Sequence, residues 1–500
     1  MTALDLEAYR RRAEDFIDAL DREYYEHFSG RKPVCDTAAV YERFPELFTR
    51  DAVLELDALY EATSELEPKR QLAYLVTFAV DGYLGDETRH LRDELDNTEG
   101  SLAIGVDGES IGFRQAVVMQ GNEADGERRA RIQRARLDAT VEHLNPLLTR
   151  LWGRYHELAV GLGYPDYMEL YATVKGHDYL HLRAELEAFL AQTEGVYERS
   201  LDKLTRERLG MTLDELTFAD LPYLWRASGF DEVFTSERLV PSLRRTLGGM
   251  GIDLDAQTNV HLDTEDRPLK DPRAFCAPVR VPGEIYLVVL PHGGQLDYGA
   301  LFHEAGHTEH FAHTDPALPF EYRHLGDNAV TEGFAFVMQN LLLNARWLEE
   351  TLELTDSSAY LRFAAVCDLY FLRRYAAKLS YETELHRASD DLSAVADVYS
   401  RKLSAAIKVA VPPENYLVDV DDAFYCAEYL RAWMLEGHFR MMLQDRYGMD
   451  WFRRPEAAAW LKQMWSDGQH WPAERLLLKH GGGRLCTDPL EHLFERVLGR

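Results

Sequence analysis

The segment Leu301-Phe302-His303-Glu304-Ala305-Gly306-His307 carries the residue types and the spacing of a metal site with a base beside it. On an α-helix, residues i and i+4 project from one face about one turn apart, so His303 and His307 can offer imidazole nitrogens to one ion. Glu304 stands next to the first histidine, angled so that its carboxylate reaches a water held by the metal rather than the metal itself. The chemistry such a set supports is hydrolysis, with zinc lowering the pKa of water to about 7 and the carboxylate taking the proton. Paired histidines also occur as partly buried packing residues, and an HExxH motif by itself does not choose between the two.

A catalytic zinc needs three protein ligands and one open position. Downstream, His310, His313, His324, Asp327 and Glu332 have suitable side chains. His313 falls where metzincins place a third histidine, but that class turns its chain on a glycine, and this sequence has His310 at that position. The helix is therefore expected to continue and to carry His313 away. Glu332 lies in Asp327-Asn328-Ala329-Val330-Thr331-Glu332-Gly333-Phe334, which reads as the start of a second helix capped by Asp327 or Asn328. A glutamate on a second packed helix is the gluzincin arrangement. The expected site is one Zn2+ per chain, held by His303, His307 and Glu332, with Glu304 as general base.

These residues need elements to hold them. Ala274–Leu290 is rich in β-branched and aromatic residues, has Pro282-Gly283 near its middle, and reads as a β-hairpin or small sheet. A polar loop, His292-Gly293-Gly294-Gln295, follows, and Asp297 is expected to cap a helix opening on Tyr298. Ala305 and Gly306 are small enough for a neighbouring helix or a substrate to come close. Elsewhere helical periodicity dominates, as in Leu4–Phe28, Arg128–Gly161, Leu182–Leu209, Ala359–Ser389 and Leu392–Val409. Glycines and prolines at Gly30/Pro33, Gly163/Pro165, Gly248–Gly251 and Pro412/Pro413 separate such segments. The charge-dense stretch before about residue 230 contains no recognisable chemical motif. The expected fold is mainly α, with an N-terminal helical lobe at 1–230 and a catalytic helical lobe at 231–500 that carries the small sheet (274–290) and the zinc site.

Composition narrows the function further. The chain has 500 residues, 46% of them hydrophobic, enough for two helical lobes around a cleft. A net charge of −30 disfavours nucleic acid and anionic membrane as partners, because both require a basic surface. No apolar run approaches the roughly 20 residues that span a bilayer, and the acidic opening from Asp5 onward lacks the apolar core of a signal peptide. Five scattered cysteines (Cys35, Cys276, Cys367, Cys426 and Cys486) without a CxxC pair read as reduced thiols. Together these features imply a cytoplasmic location.

Over roughly residues 270–440 the sequence resembles the thimet oligopeptidase and oligoendopeptidase F family of zinc peptidases. The similarity lies in Arg273-Ala274-Phe275-Cys276-Ala277-Pro278, in Leu301–His307 followed by His310, in the 25-residue spacing from His307 to Glu332, and in Tyr425-Cys426-Ala427-Glu428-Tyr429. The resemblance implies two helical lobes enclosing a deep channel with zinc on its floor. It also implies a strand that pairs with peptide backbone, and Tyr425 and Tyr429 as hydrogen-bond donors to the substrate carbonyl or oxyanion. The sequence departs from the family in having Gly333-Phe334-Ala335 after Glu332, and acidic Asp419-Val420-Asp421-Asp422 where a glycine-rich loop would precede the tyrosines. The carboxypeptidase Taq family has a similar ligand layout. The expected activity is hydrolysis of short peptides. The alternatives are a zinc hydrolase of a non-peptide amide, a carboxypeptidase Taq-like exopeptidase, and a non-catalytic, metal-stabilised helical binding protein. Glu304 argues against the last, since a structural site has no use for a base.

Overall fold

Capping and punctuation residues set the ends of the helices. The computed structural model describes residues 4–387 and 392–499, and it is mainly α-helical, with one two-stranded and one three-stranded sheet among the described residues. The first helix, Leu6–Phe28, starts at Asp5, whose carboxylate accepts from the Ala8 N–H at 3.0 Å. The segment Arg128–Gly161, read as helical from its periodicity, falls in two helices, Gly126–Ala139 and Asn145–Gly161, joined by a π-helical turn at Thr140–Leu144. The helix expected to reach Ser389 is Ser358–Leu385, and Ser389 lies outside the described residues. Among the described residues, no helix is long and apolar enough to cross a membrane.

Contacts divide the chain into two compact units, each made of separated segments. The first comprises Met1–Tyr83, Ala227–Leu361 and Glu428–Leu490, and the second Leu84–Arg226, Arg362–Ala427 and Glu491–Arg500. Residues from 1–230 and from 231–500 therefore enter both units. The second unit contains a hairpin of β1 (Ala103–Val106) and β2 (Glu109–Gly112) that closes on Asp107-Gly108, with φ of 53° and 83°. Sequence reading placed strands only in Ala274–Leu290, so this hairpin is an addition. Its signal is an Asp-Gly pair between alternating Ile104, Val106 and Ile111.

The first unit contains β3 (Val260–Asp263), β4 (Phe275–Arg280) and β5 (Glu284–Val288) in the order β3-β5-β4. The central β5 runs parallel to β3 and antiparallel to β4. The strand expectation thus holds as the hairpin β4–β5, with β3 as an unforeseen third member. Pro278 sits on the edge strand, where a missing N–H leaves no gap in the ladder. The first helix covers one face: Tyr25 packs with Ala277, Val279 and Val288, and its ring stacks 3.7 Å from that of Tyr286. The opposite face, with Ile285 and Leu287 fully buried, packs on the motif helix, Gln295–Ala312.

The motif helix begins three residues earlier than the sequence implied. Asp297 does not cap it; its carboxylate accepts from the His292 and Gly293 N–H groups, each at 2.9 Å, and folds the entry loop back. Gly293 has φ of +87°, and a Cβ there would lie 2.8 Å from the Ser236 nitrogen, so the loop needs glycine at this point.

Candidate metal centre

Two helices build the site. The motif helix carries His303, Glu304 and His307, and a second helix, Asn328–Gln339, carries Glu332. Asp327 caps the second helix by accepting from the Ala329 N–H at 3.1 Å. The two helices cross in near-contact at Gly306, where a Cβ would fall 2.5 Å from Ala335 Cα and 2.7 Å from the Phe334 carbonyl oxygen. The small residue noted in the motif therefore admits a helix. A third helix, Tyr425–Tyr447, anchors the start of the Glu332 helix through Arg431, whose guanidinium donates to both oxygens of Asp327 at 2.8 and 2.6 Å. Arg431 also donates to Glu474 at 2.9 and 2.7 Å, and Asp327 accepts from the Ala473 N–H at 2.9 Å. Both members of the Arg431–Asp327 pair are 4% exposed, so a large desolvation cost is met by saturating every polar atom.

His303 Nε2 lies 3.1 Å and His307 Nε2 3.6 Å from the same Glu332 oxygen, and the three side chains are 13%, 12% and 6% exposed. These atoms fall within 4.8 Å of one another. Ligands about 2.05 Å from a tetrahedral zinc stand about 3.3 Å apart, and the two observed separations bracket that value. The other ring nitrogens are also engaged. His303 Nδ1 is 2.9 Å from Gln339 Oε1 and His307 Nδ1 is 2.7 Å from Thr331 Oγ1. The Gln339 amide oxygen can only accept, which places a proton on His303 Nδ1 and leaves its Nε2 lone pair for an ion, and the Thr331 hydroxyl can accept from His307 Nδ1 in the same way. Nitrogen and oxygen donors in this number and arrangement fit zinc. Burial opposes a charge on His307, but the Glu332 and Glu304 carboxylates outweigh it and lift the imidazole above its ordinary value. Burial likewise raises the Glu332 carboxyl, and the two histidines more than reverse this, holding it well below the usual carboxylate range.

Glu304 is outside this trio. Its Oε2 accepts from the Cys276 backbone N–H at 2.8 Å, which ties the carboxylate to the edge of β4. His310 is fully buried, has its Nε2 3.2 Å from the Gly468 carbonyl, and is pushed down to about 3 by burial. His313 closes the motif helix with its Nδ1 2.9 Å from the Glu309 carbonyl and its ring against Trp465. Neither belongs to the metal trio. Tyr429 is separated from His303 by one ring: it is 5.9 Å from Phe336, which lies 5.1 Å edge-on to His303, and Trp433 stacks on Phe336 at 5.1 Å. Tyr425 opens the same helix and belongs to the second unit. Sequence reading missed Thr331, Gln339 and Arg431. Thr331 is adjacent to a ligand, but nothing in the spacing marks the other two.

A second trio, Glu382, Asp421 and Cys426, also lies within 4.8 Å in the second unit. Its members are already bonded to one another and to a cation. The Cys426 thiol donates to Glu382 at 3.0 Å, the Asp421 N–H donates to Glu382 at 2.9 Å, and Lys378 Nζ sits 2.7 Å from Asp421. No protein-family model and no curated protein matches this chain.

Proposed function

We propose that this chain is a cytoplasmic zinc metallopeptidase that hydrolyses short peptides, of the kind its motif residues resemble. The observation that carries the proposal is the convergence of His303 Nε2, His307 Nε2 and a Glu332 oxygen, with Glu304 held beside them on the sheet edge. His303, His307 and Glu332 would hold the metal, with Gln339 and Thr331 fixing the orientation of the imidazoles. When bound, zinc supplies Lewis-acid polarisation of a water and of the scissile carbonyl. Glu304 takes a proton from the attacking water and returns it to the leaving amine. The bond from the Cys276 N–H fixes one oxygen of Glu304, leaving the other to take that proton. Tyr429, backed by Phe336 and Trp433, is the candidate donor to the developing oxyanion.

A panel of fluorogenic peptides, with chelator and with zinc restored, tests this reading. The expected result is cleavage that chelator abolishes and zinc recovers. No cleavage of any peptide by zinc-loaded protein, together with turnover of a non-peptide amide, would move the chain to that other class of hydrolase.

A further inference from the structure

The turn that leads into the helix Tyr425–Tyr447 is strained, and side chains of the second unit hold it down. Ala423 and Phe424 follow one another with φ of 52° and 56°, a left-handed conformation that is unfavourable for any residue with a Cβ. The Ala423 N–H donates to the Tyr167 hydroxyl at 3.0 Å, and its carbonyl accepts from Lys175 Nζ at 2.9 Å. Arg92 pairs with Asp422, and the buried Phe424 ring stacks 4.5 Å from that of Tyr179. Glu382, fully buried, clasps both ends of the turn. One of its oxygens accepts from the Asp421 N–H at 2.9 Å, and the other from the Cys426 thiol at 3.0 Å.

A second carboxyl lies against Glu382. Asp421 has an oxygen within 4.8 Å of it. One Asp421 oxygen takes Lys378 Nζ at 2.7 Å, and the other is buried without a hydrogen-bond partner. An ionised Glu382 has no hydrogen to offer that oxygen, whereas a protonated one has. Two carboxyls this close in a buried site carry one negative charge more readily than two. Burial, aided by Asp421 and opposed by Lys378, pushes Glu382 up to about 8.

The other groups around the turn keep their charge near neutrality. Burial opposes the charges of Lys378 and Arg374, but Asp419 and its neighbours outweigh it and lift both. Burial also raises Asp419, and Arg374 and Lys378 more than reverse this. Burial lifts the Cys426 thiol and the Tyr381 and Tyr399 phenols far up. It lowers His156, and it pushes His386, whose ring is 5.0 Å from Phe424, well below the ordinary imidazole value.

We propose that Glu382 and Asp421 share a single proton that fastens this turn, so that the turn opens by giving the proton up and loosens as the solution becomes less acidic. In the closed turn the Glu382 O–H donates to the orphan Asp421 oxygen. Opening releases that proton to water, frees the Cys426 thiol from its acceptor, and lets Ala423 and Phe424 return to right-handed φ, which extends the helix back from Tyr425.

Hydrogen exchange of the 419–426 amides in the full-length protein, corrected for the rate of an unfolded chain at each pH, tests this. One proton released per opening makes the opening constant rise by about 5- to 10-fold from pH 6.5 to 7.5. From pH 8.5 to 9.5 the rise should be less than about 1.5-fold, because the closed turn has by then lost the proton as well. Glu382→Gln cannot titrate and offers an N–H to the same Asp421 oxygen, so its profile should stay flat within about 2-fold. Asp421→Asn should reduce the rise, because Glu382 then faces Lys378 without a second carboxylate. A flat wild-type profile from pH 6.5 to 7.5, or the same rise in Glu382→Gln, overturns the inference. So do turn amides that exchange only as fast as those of the helix Tyr179–Leu209, since the turn would then open only when the whole unit unfolds. If Glu382→Gln does not fold, the wild-type profile and Asp421→Asn decide the matter in its place.

Discussion

Gly306→Ala tests the construction of the metal centre without touching a ligand. The new Cβ would sit 2.5 Å from Ala335 Cα, 2.7 Å from the Phe334 oxygen and 3.0 Å from the Ala335 nitrogen, all of them backbone atoms that no rotamer change can move. Restoring ordinary contact requires the Glu332 helix to retreat by about 1 Å. Metal ligands tolerate only about 0.2 Å, so a shift of that size takes the Glu332 oxygen out of reach of an ion held by His303 and His307. Zinc affinity should fall by about 10- to 100-fold, comparable to the loss of an outer-shell partner. The overpacking costs about 1–3 kcal/mol, partly offset by about 1 kcal/mol from replacing a helical glycine. Gly299→Ala, in the same helix with nothing within 4 Å of its Cβ, is the control and should be neutral or stabilising. The assay is competitive zinc titration against a chelator, alongside urea unfolding of the metal-free protein. A Gly306→Ala protein with unchanged zinc affinity and unchanged metal-free stability would show that the close crossing does not position the ligand.

Glu304→Gln should retain stoichiometric zinc by elemental analysis and lose peptidase turnover; loss of the metal would make Glu304 a ligand. Glu332→Ala should weaken zinc severely in a chelator titration, whereas His313→Ala, whose ring packs on Trp465, should leave it nearly unchanged. The reverse order would refute the assigned trio. Fully buried Glu382 is pushed up to about 8, chiefly by burial, with Lys378 opposing. Its folded value lies above its unfolded one, so its contribution is complete below about pH 4.5 and is lost as pH rises through about 8. Glu382→Gln removes that loss. Relative to wild type, the variant should gain stability between pH 5 and pH 9 in urea unfolding, by at most ~5 kcal/mol. A constant difference across that range would mean that the carboxyl does not change protonation there.

The parts of the site legible in the sequence are those that depend on one helix at a time. The spacing of His303 and His307 fixes their common face, and the absence of a glycine at His310 keeps the helix going to Ala312, with His313 beyond reach. Glu332 was readable because Asp327 gives its helix a definite start. Gln339 and Thr331 were not, since which side chains meet the Nδ1 atoms depends on how two helices cross, and the crossing is set by Gly306 against the Ala335 backbone. β3 escaped for a related reason: a four-residue strand paired in parallel with β5 has its partner far along the chain and carries no local turn signal. Asp297 misled because a cap and a first-turn acid look alike in sequence. Gly294 opens the helix earlier, and the loop amides of His292 and Gly293 take the carboxylate.

The small sheet has a larger role than its three strands suggest. A glutamate on a helix surface can take several rotamers, and ordering it costs up to about 2 kcal/mol of side-chain entropy each time it must act. The bond from the Cys276 N–H holds Glu304 in one of those rotamers before any substrate arrives. That bond in turn requires β4 to be an edge strand at Cys276, a condition met because β5, and not β4, occupies the centre of the sheet. The packing that fixes β4 comes from Tyr25 of the first helix on one side and the motif helix on the other, so residues almost 300 positions apart in the chain determine the direction of one carboxylate. Weakening the sheet at Tyr25 should therefore impair the proposed base more than the proposed metal trio, since His303, His307 and Glu332 are carried by the two helices and none of them bonds to the sheet.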